Sequence, residues 1–214
     1  MTVTRNNTVR EHVDQTRQHL TKRQQKALQT RDNIFQAAMQ AINEKGFQNT
    51  TIEDITSLAH VASGSFYTYF PSKEAIVLET LRQSDVIYEW AFQQTRDEPF
   101  FSRITNFIHL SYIEYEKRGK GIIKAIISNY YSFPPDEIYP PDRPLLVCIK
   151  HIIEAGLAAG EIDPGHTADE YTLQFLSAMA GVEVMWCFET SNKSLAELMV
   201  DTFRTMAAGV MIRK

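Results

Sequence analysis

Cysteine is scarce in this 214-residue chain, and the two that occur, Cys148 and Cys187, belong to neither a CxxC pair nor a Cys/His cluster. That excludes a zinc-ribbon or CxxC redox site and fits two small buried hydrophobes in a reducing compartment. Long apolar runs are missing as well. No stretch reaches the ~20 residues that span a bilayer, and the leading MTVTRNNTVREHV lacks the apolar core of a secretion signal. A cytoplasmic protein with no membrane contact is expected. GxSxG, Walker and HExxH signatures are absent, and the six histidines show no metal-ligand spacing beyond a His151/Glu154 pair. Neither an enzyme, a metal site nor a cofactor is expected.

Positive charge is also in short supply, since the chain as a whole carries −4. Its distribution matters more than its sum, because only a nucleic-acid-contacting surface needs to be basic. Residues 1–31 hold seven basic residues against two acidic ones, whereas residues 76–214 hold 13 against 19. A basic end and an acidic body follow. Residues 1–21 are polar and unpatterned, and read as a flexible basic arm, either settling on phosphates or serving as a leader without a role.

What the chain does have is helical patterning throughout, which points to an all-α fold, and one dense stretch from Thr50 to Glu74, TTIEDITSLAHVASGSFYTYFPSKE. Thr50 and Glu53 have capping-box spacing ahead of Ile52, Ile55 and Leu58, which predicts a short helix. After His60 a second short segment begins at Ser63, with Phe66 and Phe70 four apart on an inward face. Its other face carries Ser63, Gly64, Ser65, Tyr67 and Thr68. Small and hydroxylated side chains let a helix lie close to a duplex and bond to phosphates or base edges. Thr50, Thr51, Tyr69 and Lys73 complete the candidate DNA-contacting set, Lys73 through a phosphate seat in the first turn of a following helix capped by Ser72 and running to Thr95.

Tyr67-Thr68-Tyr69-Phe70 followed by Ser72-Lys73-Glu74 resembles the DNA-binding domain of the TetR family of bacterial transcriptional regulators. Ile34, Ala37, Ala38, Gly46 and Phe47 resemble that family's first helix and its stop, so the likeness covers about residues 30–80. The turn position usually held by glycine is His60. The resemblance implies a three-helix helix-turn-helix domain over 22–75, a ligand-binding and dimerisation domain over 76–214, a double-stranded, near-palindromic DNA operator and a homodimer.

In the body, Pro99 opens a helix to Arg118, Gly119 and Gly121 punctuate, and a helix follows from Ile122 to Tyr131. Lys117, Arg118, Lys120 and Lys124 read as a solvated turn or as a seat for an anionic ligand such as an acyl-CoA phosphate. Residues 132–144, with five prolines, form a loop or lid. Thr167/Glu170 and Ser194/Glu197 mark two further helix starts. Tyr171 to Phe188 is apolar almost all round, which calls for burial on every side. The economical cover is a second subunit, with Met185, Leu195, Met199, Phe203, Met206 and Val210 at the interface. A small-molecule effector, largely apolar or aromatic, is expected among Trp90, His109, Tyr112, Tyr130, Met179, Glu183 and Trp186. Glu183 and His109 stand out as polar groups on apolar segments. Three readings remain open: a ligand-responsive regulator, most simply a repressor; a helical-bundle lipid carrier or small enzyme; and a helix-turn-helix dimer with no effector.

Overall fold

The computed structural model describes residues 21–189 and 192–212, so the arm expected over 1–21 lies outside the described residues apart from Thr21. Among the described residues there are ten α-helices, one 3-10 turn and no strand beyond a single antiparallel bridge between Ile162 and Met211. Helix α1 (Lys22–Lys45) starts on a Thr21/Gln24 capping box and ends at Gly46, whose φ of 79° suits a residue without a Cβ. Its apolar stripe, Ile34, Phe35, Ala38, Ala41 and Ile42, is buried.

Helices α2 (Ile52–Leu58) and α3 (Ser63–Tyr69) meet across His60, which adopts the left-handed conformation at φ 54°. The box that opens α2 is Thr51/Asp54, one residue later than the expected Thr50/Glu53. Lys45 bonds Asp54 at 2.6 Å and, with Thr51, holds its carboxyl down at about 2. Helix α4 (Glu74–Gln94) follows. Its N-cap is Lys73 and no side chain caps it, so the expected Ser72 cap is not formed and the helix is 21 residues long.

The body continues with α5 (Phe100–Glu116), α6 (Lys120–Asn129), the 3-10 turn Tyr130–Ser132, α7 (Pro135–Ile138), α8 (Pro144–Ala158), α9 (Ala168–Cys187) and α10 (Leu195–Val210). Capping boxes at Thr167/Glu170 and Ser194/Glu197 open α9 and α10 as expected. The stretch 132–144 is less bare than its prolines imply, since it holds the four-residue α7. α10 lies chiefly on α5, α9 packs between α8 and α10, and α4 runs against α5, α6 and α8. α1 also rests on α6, so the N-terminal three-helix unit touches the body at a second place besides α4. No helix among the described residues is long and apolar enough to cross a membrane, and none of their His, Cys, Asp or Glu side chains gather into a group of three or more able to hold a metal.

The apolar character of α9 resolves into two faces. Tyr171, Phe175, Met179, Glu183 and Cys187 point into the core, while Leu173, Met185 and Phe188 stand exposed at 66%, 52% and 73% with Ser177 and Gly181 between them. Leu195, Met199 and Phe203 are fully buried inside the subunit, with Phe203 against Phe175 at a ring separation of 5.1 Å. These three expected interface residues are core residues: the stripe they form is buried against α5 and α9 inside the subunit. Met206 and Val210 are half-buried and Met185 is open.

Candidate DNA-reading face and effector site

α3 is anchored by its aromatic face. Phe66 and Phe70 are buried, Phe66 lies 5.8 Å from Phe70, and Phe35 of α1 lies 6.4 Å from Phe70. That fixes the rotation of the seven-residue helix and turns Ser63, Gly64, Tyr67 and Thr68 to solvent, with Ser65 and Tyr69 half-buried. Tyr67, 62% exposed, meets the Phe66 ring in a T-shaped contact at 5.5 Å. Thr51 is exposed at the start of α2. Lys22, Arg23 and Lys26 are exposed in the first turns of α1 and extend the positive surface.

Two members of the expected DNA-contacting set turn inward. Thr50 is 2% exposed because its hydroxyl donates to the carbonyls of Ala41 and Gly46, tying the end of α1 to the start of α2. Lys73 donates to the carbonyls of Phe47 at 2.5 Å and Thr50 at 2.8 Å, and its ammonium lies 4.4 Å from the centre of the Phe47 ring. Its charge is spent on carbonyls of the α1–α2 turn, where the Phe47 carbonyl also accepts from the Thr50 N–H at 3.4 Å, so Lys73 pins that turn to α4. Arg31 does similar work, pairing with Glu79 of α4 at 2.6 Å while its guanidinium covers Phe70 at 5.0 Å. Neither role is visible in a linear motif, because the partners lie 20 to 50 residues away.

In the body, Glu183 is 4% exposed and its two carboxylate oxygens accept from different phenols, Tyr112 at 2.7 Å and Tyr130 at 3.2 Å. Burial pushes its carboxyl above the usual range, while the two hydrogen bonds pull the other way. Burial likewise pushes the Tyr112 and Tyr130 hydroxyls well up, so both stay protonated donors. Three expected residues, Tyr112, Tyr130 and Glu183, are thus in direct contact, and Met179 is buried one turn before Glu183 on the same face of α9. Trp90 is half-buried against the core, and Trp186 is half-buried under the Lys120 ammonium at 5.0 Å. His109 does not join them: the helical rotation of α5 places it outside, exposed like Asn106 and Ile113.

Sequence reading missed Tyr139 and Arg143. Arg143, 5% exposed, bonds Asp85 of α4 at 3.2 Å and the Ile138 carbonyl at 2.9 Å, and its guanidinium stacks 5.5 Å from the Tyr139 ring. It ties the proline-rich segment back onto α4. Its only sequence signal was a charged residue caught between prolines. Lys117 and Lys120 pair with Glu114 and Glu189, whereas Arg118 is half-buried and its Nε has no hydrogen-bond partner among the described residues, so the solvated turn holds for only part of the run. A cleft of about 1070 Å³ lies elsewhere, between α1, the end of α2, α4 and the end of α5, lined by Gln36, Asn43, His60, Ile87 and Arg118 among others.

Residues 34–80 match the family described as bacterial regulatory proteins, tetR family. The HTH-type transcriptional repressor KstR2 of Mycolicibacterium smegmatis is 39% identical over 166 residues, covering 73% of this chain and 78% of that protein. The uncharacterised HTH-type regulator YvdT of Bacillus subtilis is 46% identical over 46 residues, and there the match spans only 22% of this chain and 24% of the relative. Among solved structures, FadR from Bacillus subtilis in complex with stearoyl-CoA superposes with a TM-score of 0.70 at 17% identity, over 83% of this chain and 98% of that one. That likeness concerns the fold. With the helix-turn-helix geometry above, the match over 34–80 and the repressor relative together show that the chain belongs to the tetR family of bacterial regulatory proteins and is a DNA-binding transcriptional regulator, not an enzyme.

Proposed function

We propose that the chain is a cytoplasmic repressor that binds a near-palindromic operator as a homodimer and releases it when a small, largely apolar or aromatic effector enters the body. One observation carries the DNA half: α3 presents an unbroken polar, small-residue face on a rigid aromatic footing, the arrangement needed to enter a major groove. Residues 22–75 form the reading domain, with Thr51, Ser63, Gly64, Ser65, Tyr67, Thr68 and Tyr69 toward DNA, and residues 76–214 form the body. The open face of α9, Leu173, Ser177, Gly181, Met185 and Phe188, supports dimerisation, because an apolar stripe with small residues at its middle invites close approach of a second helix. Met206 and Val210, half-buried on α10, are the remaining interface candidates.

The effector half rests on Tyr112, Tyr130, Met179 and Glu183, with Trp90 and Trp186 at the edges. The stearoyl-CoA complex of the Bacillus subtilis protein supports a ligand-binding body in this fold. Arg143 supplies the route to DNA, since it joins the segment beside Glu183 to α4, and α4 leads directly to α3. A gel-shift titration of the full chain against selected operator DNA tests the reading: a retarded complex of two chains per site supports it, and absence of duplex binding ends it.

A further inference from the structure

We infer that the effector carries an organic cation, an ammonium or guanidinium group on an apolar body, received by Glu183 inside a cage of phenol rings. The inference rests on the reading of the body as an effector site and adds the chemical class. An ionised carboxylate has about four acceptor positions, and the two phenols use one on each oxygen of Glu183. Among the described residues no cation pairs with it. Arg143, whose positive charge lowers the Glu183 carboxyl, is committed to Asp85 and to the Ile138 carbonyl.

The surroundings are aromatic. Of the two phenols that donate to Glu183, Tyr112 meets Tyr115 edge to face at 5.4 Å and Tyr130 lies 6.2 Å from Tyr139. Ring faces attract cations, most of all when water is excluded. A carboxylate with spare acceptors among phenols is therefore matched to a positive group and mismatched to an anion, which would meet the carboxylate without a counter-charge. The wall on one side is the least regular part of the body. Tyr130 and Tyr139, 6.2 Å apart, belong to the short 3-10 turn and the four-residue α7 region between paired prolines. Displacing that segment opens a way to Glu183 without disturbing α5 or α9.

Three probes of equal chain length separate charge from hydrophobicity: decyltrimethylammonium, decanol and decanoate, each titrated calorimetrically into the full-length protein below its micelle concentration. The expected result is saturable binding of one ammonium per subunit, about tenfold tighter than decanol, with decanoate weakest. Glu183→Gln removes the preference for the ammonium and leaves decanol binding unchanged. Tyr130→Phe, which keeps the ring and the carboxylate, retains the preference and covers the case in which Glu183→Gln does not fold. Equal affinities for ammonium and decanol, decanoate binding tightest, no saturable ammonium binding, or an ammonium affinity untouched in folded Glu183→Gln overturns the inference. A parallel operator titration keeps the two readings apart. Operator released by decanol or decanoate but not by the ammonium sinks the cation and leaves the regulator standing; head-group selectivity with no operator binding does the reverse.

Discussion

Asn43, in the last turn of α1, fills the space that a side chain on Gly119 would need, and its amide bridges the two helices on either side of that glycine. Asn43 donates to the Arg118 carbonyl at 2.8 Å, just past the end of α5, and accepts from the Ile122 N–H at 3.2 Å in the first turn of α6. Gly119 has φ 92°, and a Cβ on it would overlap the Asn43 amide, while one on Gly121 would fall 2.7 Å from both the Asn43 Cα and the Ile42 carbonyl oxygen. One side chain of the reading domain thus completes the ends of two body helices.

Removing that bridge should loosen the contact between the domains. Asn43→Ala removes two hydrogen bonds, one exposed and one half-buried, a loss of about 1 kcal/mol. Urea unfolding followed by separate probes in the two domains is expected to split into two transitions in Asn43→Ala and to stay single in the parent. A single coincident transition in both would contradict this role.

Lys73→Met is expected to act on stability, not on phosphate contact. Charged hydrogen bonds of this kind are worth roughly 1.5–3 kcal/mol, so the chain should lose about that much. The slope of operator affinity against salt concentration should stay the same. A slope reduced by about one would instead mark Lys73 as a phosphate ligand. Tyr67→Ala is expected to weaken binding to all sequences, and Ser65 or Thr68 substitutions to shift sequence preference, as measured by competition between operator variants.

These inward turns show where linear reading reaches its limit. Helix starts at Thr167 and Ser194 were legible because a capping box is a contact between residues three apart. At α2 two adjacent threonines each had an acid three residues on. Packing chose Thr51, because Thr50 was already bound to the Ala41 and Gly46 carbonyls. The two-sided apolar character of α9 was legible, but which side of α10 met the core was not: Leu195, Met199 and Phe203 form as good an interface stripe on paper as any other. Glu183 could be singled out because a carboxylate among apolar neighbours needs partners. Asn43 and Arg143 gave no such signal, since the Arg118, Ile122 and Asp85 they bond lie 58 to 79 residues away.

The interface follows from that correction. Phe203→Ala should cost about 3–5 kcal/mol as a core truncation, and Phe203→Asp should unfold the subunit. Leu173→Glu combined with Phe188→Glu should give folded monomers by sedimentation, with helical content intact and operator binding lost. A persistent dimer in the double variant would place the interface elsewhere.

Glu183 also sets a pH dependence. Burial raises its carboxyl above its ordinary value of 4.5, so between that value and the folded one the folded chain holds a proton that the unfolded chain has released, and above the folded value the carboxylate is charged in both states. The stability this group contributes is fully present below about 4.5 and is lost as pH rises through the folded value. Urea midpoints of the parent should therefore fall relative to Glu183→Gln as pH is raised from 4 toward 8. Parallel curves would mean that the carboxyl is not perturbed.

The central claim is that α3 reads duplex DNA from a symmetric pair of subunits, and selection of genomic fragments bound by the full-length chain, followed by anisotropy titration of the enriched site, tests it most directly. Reading by α3 predicts one enriched near-palindrome with half-sites about 34 Å apart, bound by two chains and weakened by Tyr67→Ala. Fragments that share no motif, or a site bound equally well by Tyr67→Ala, would contradict it.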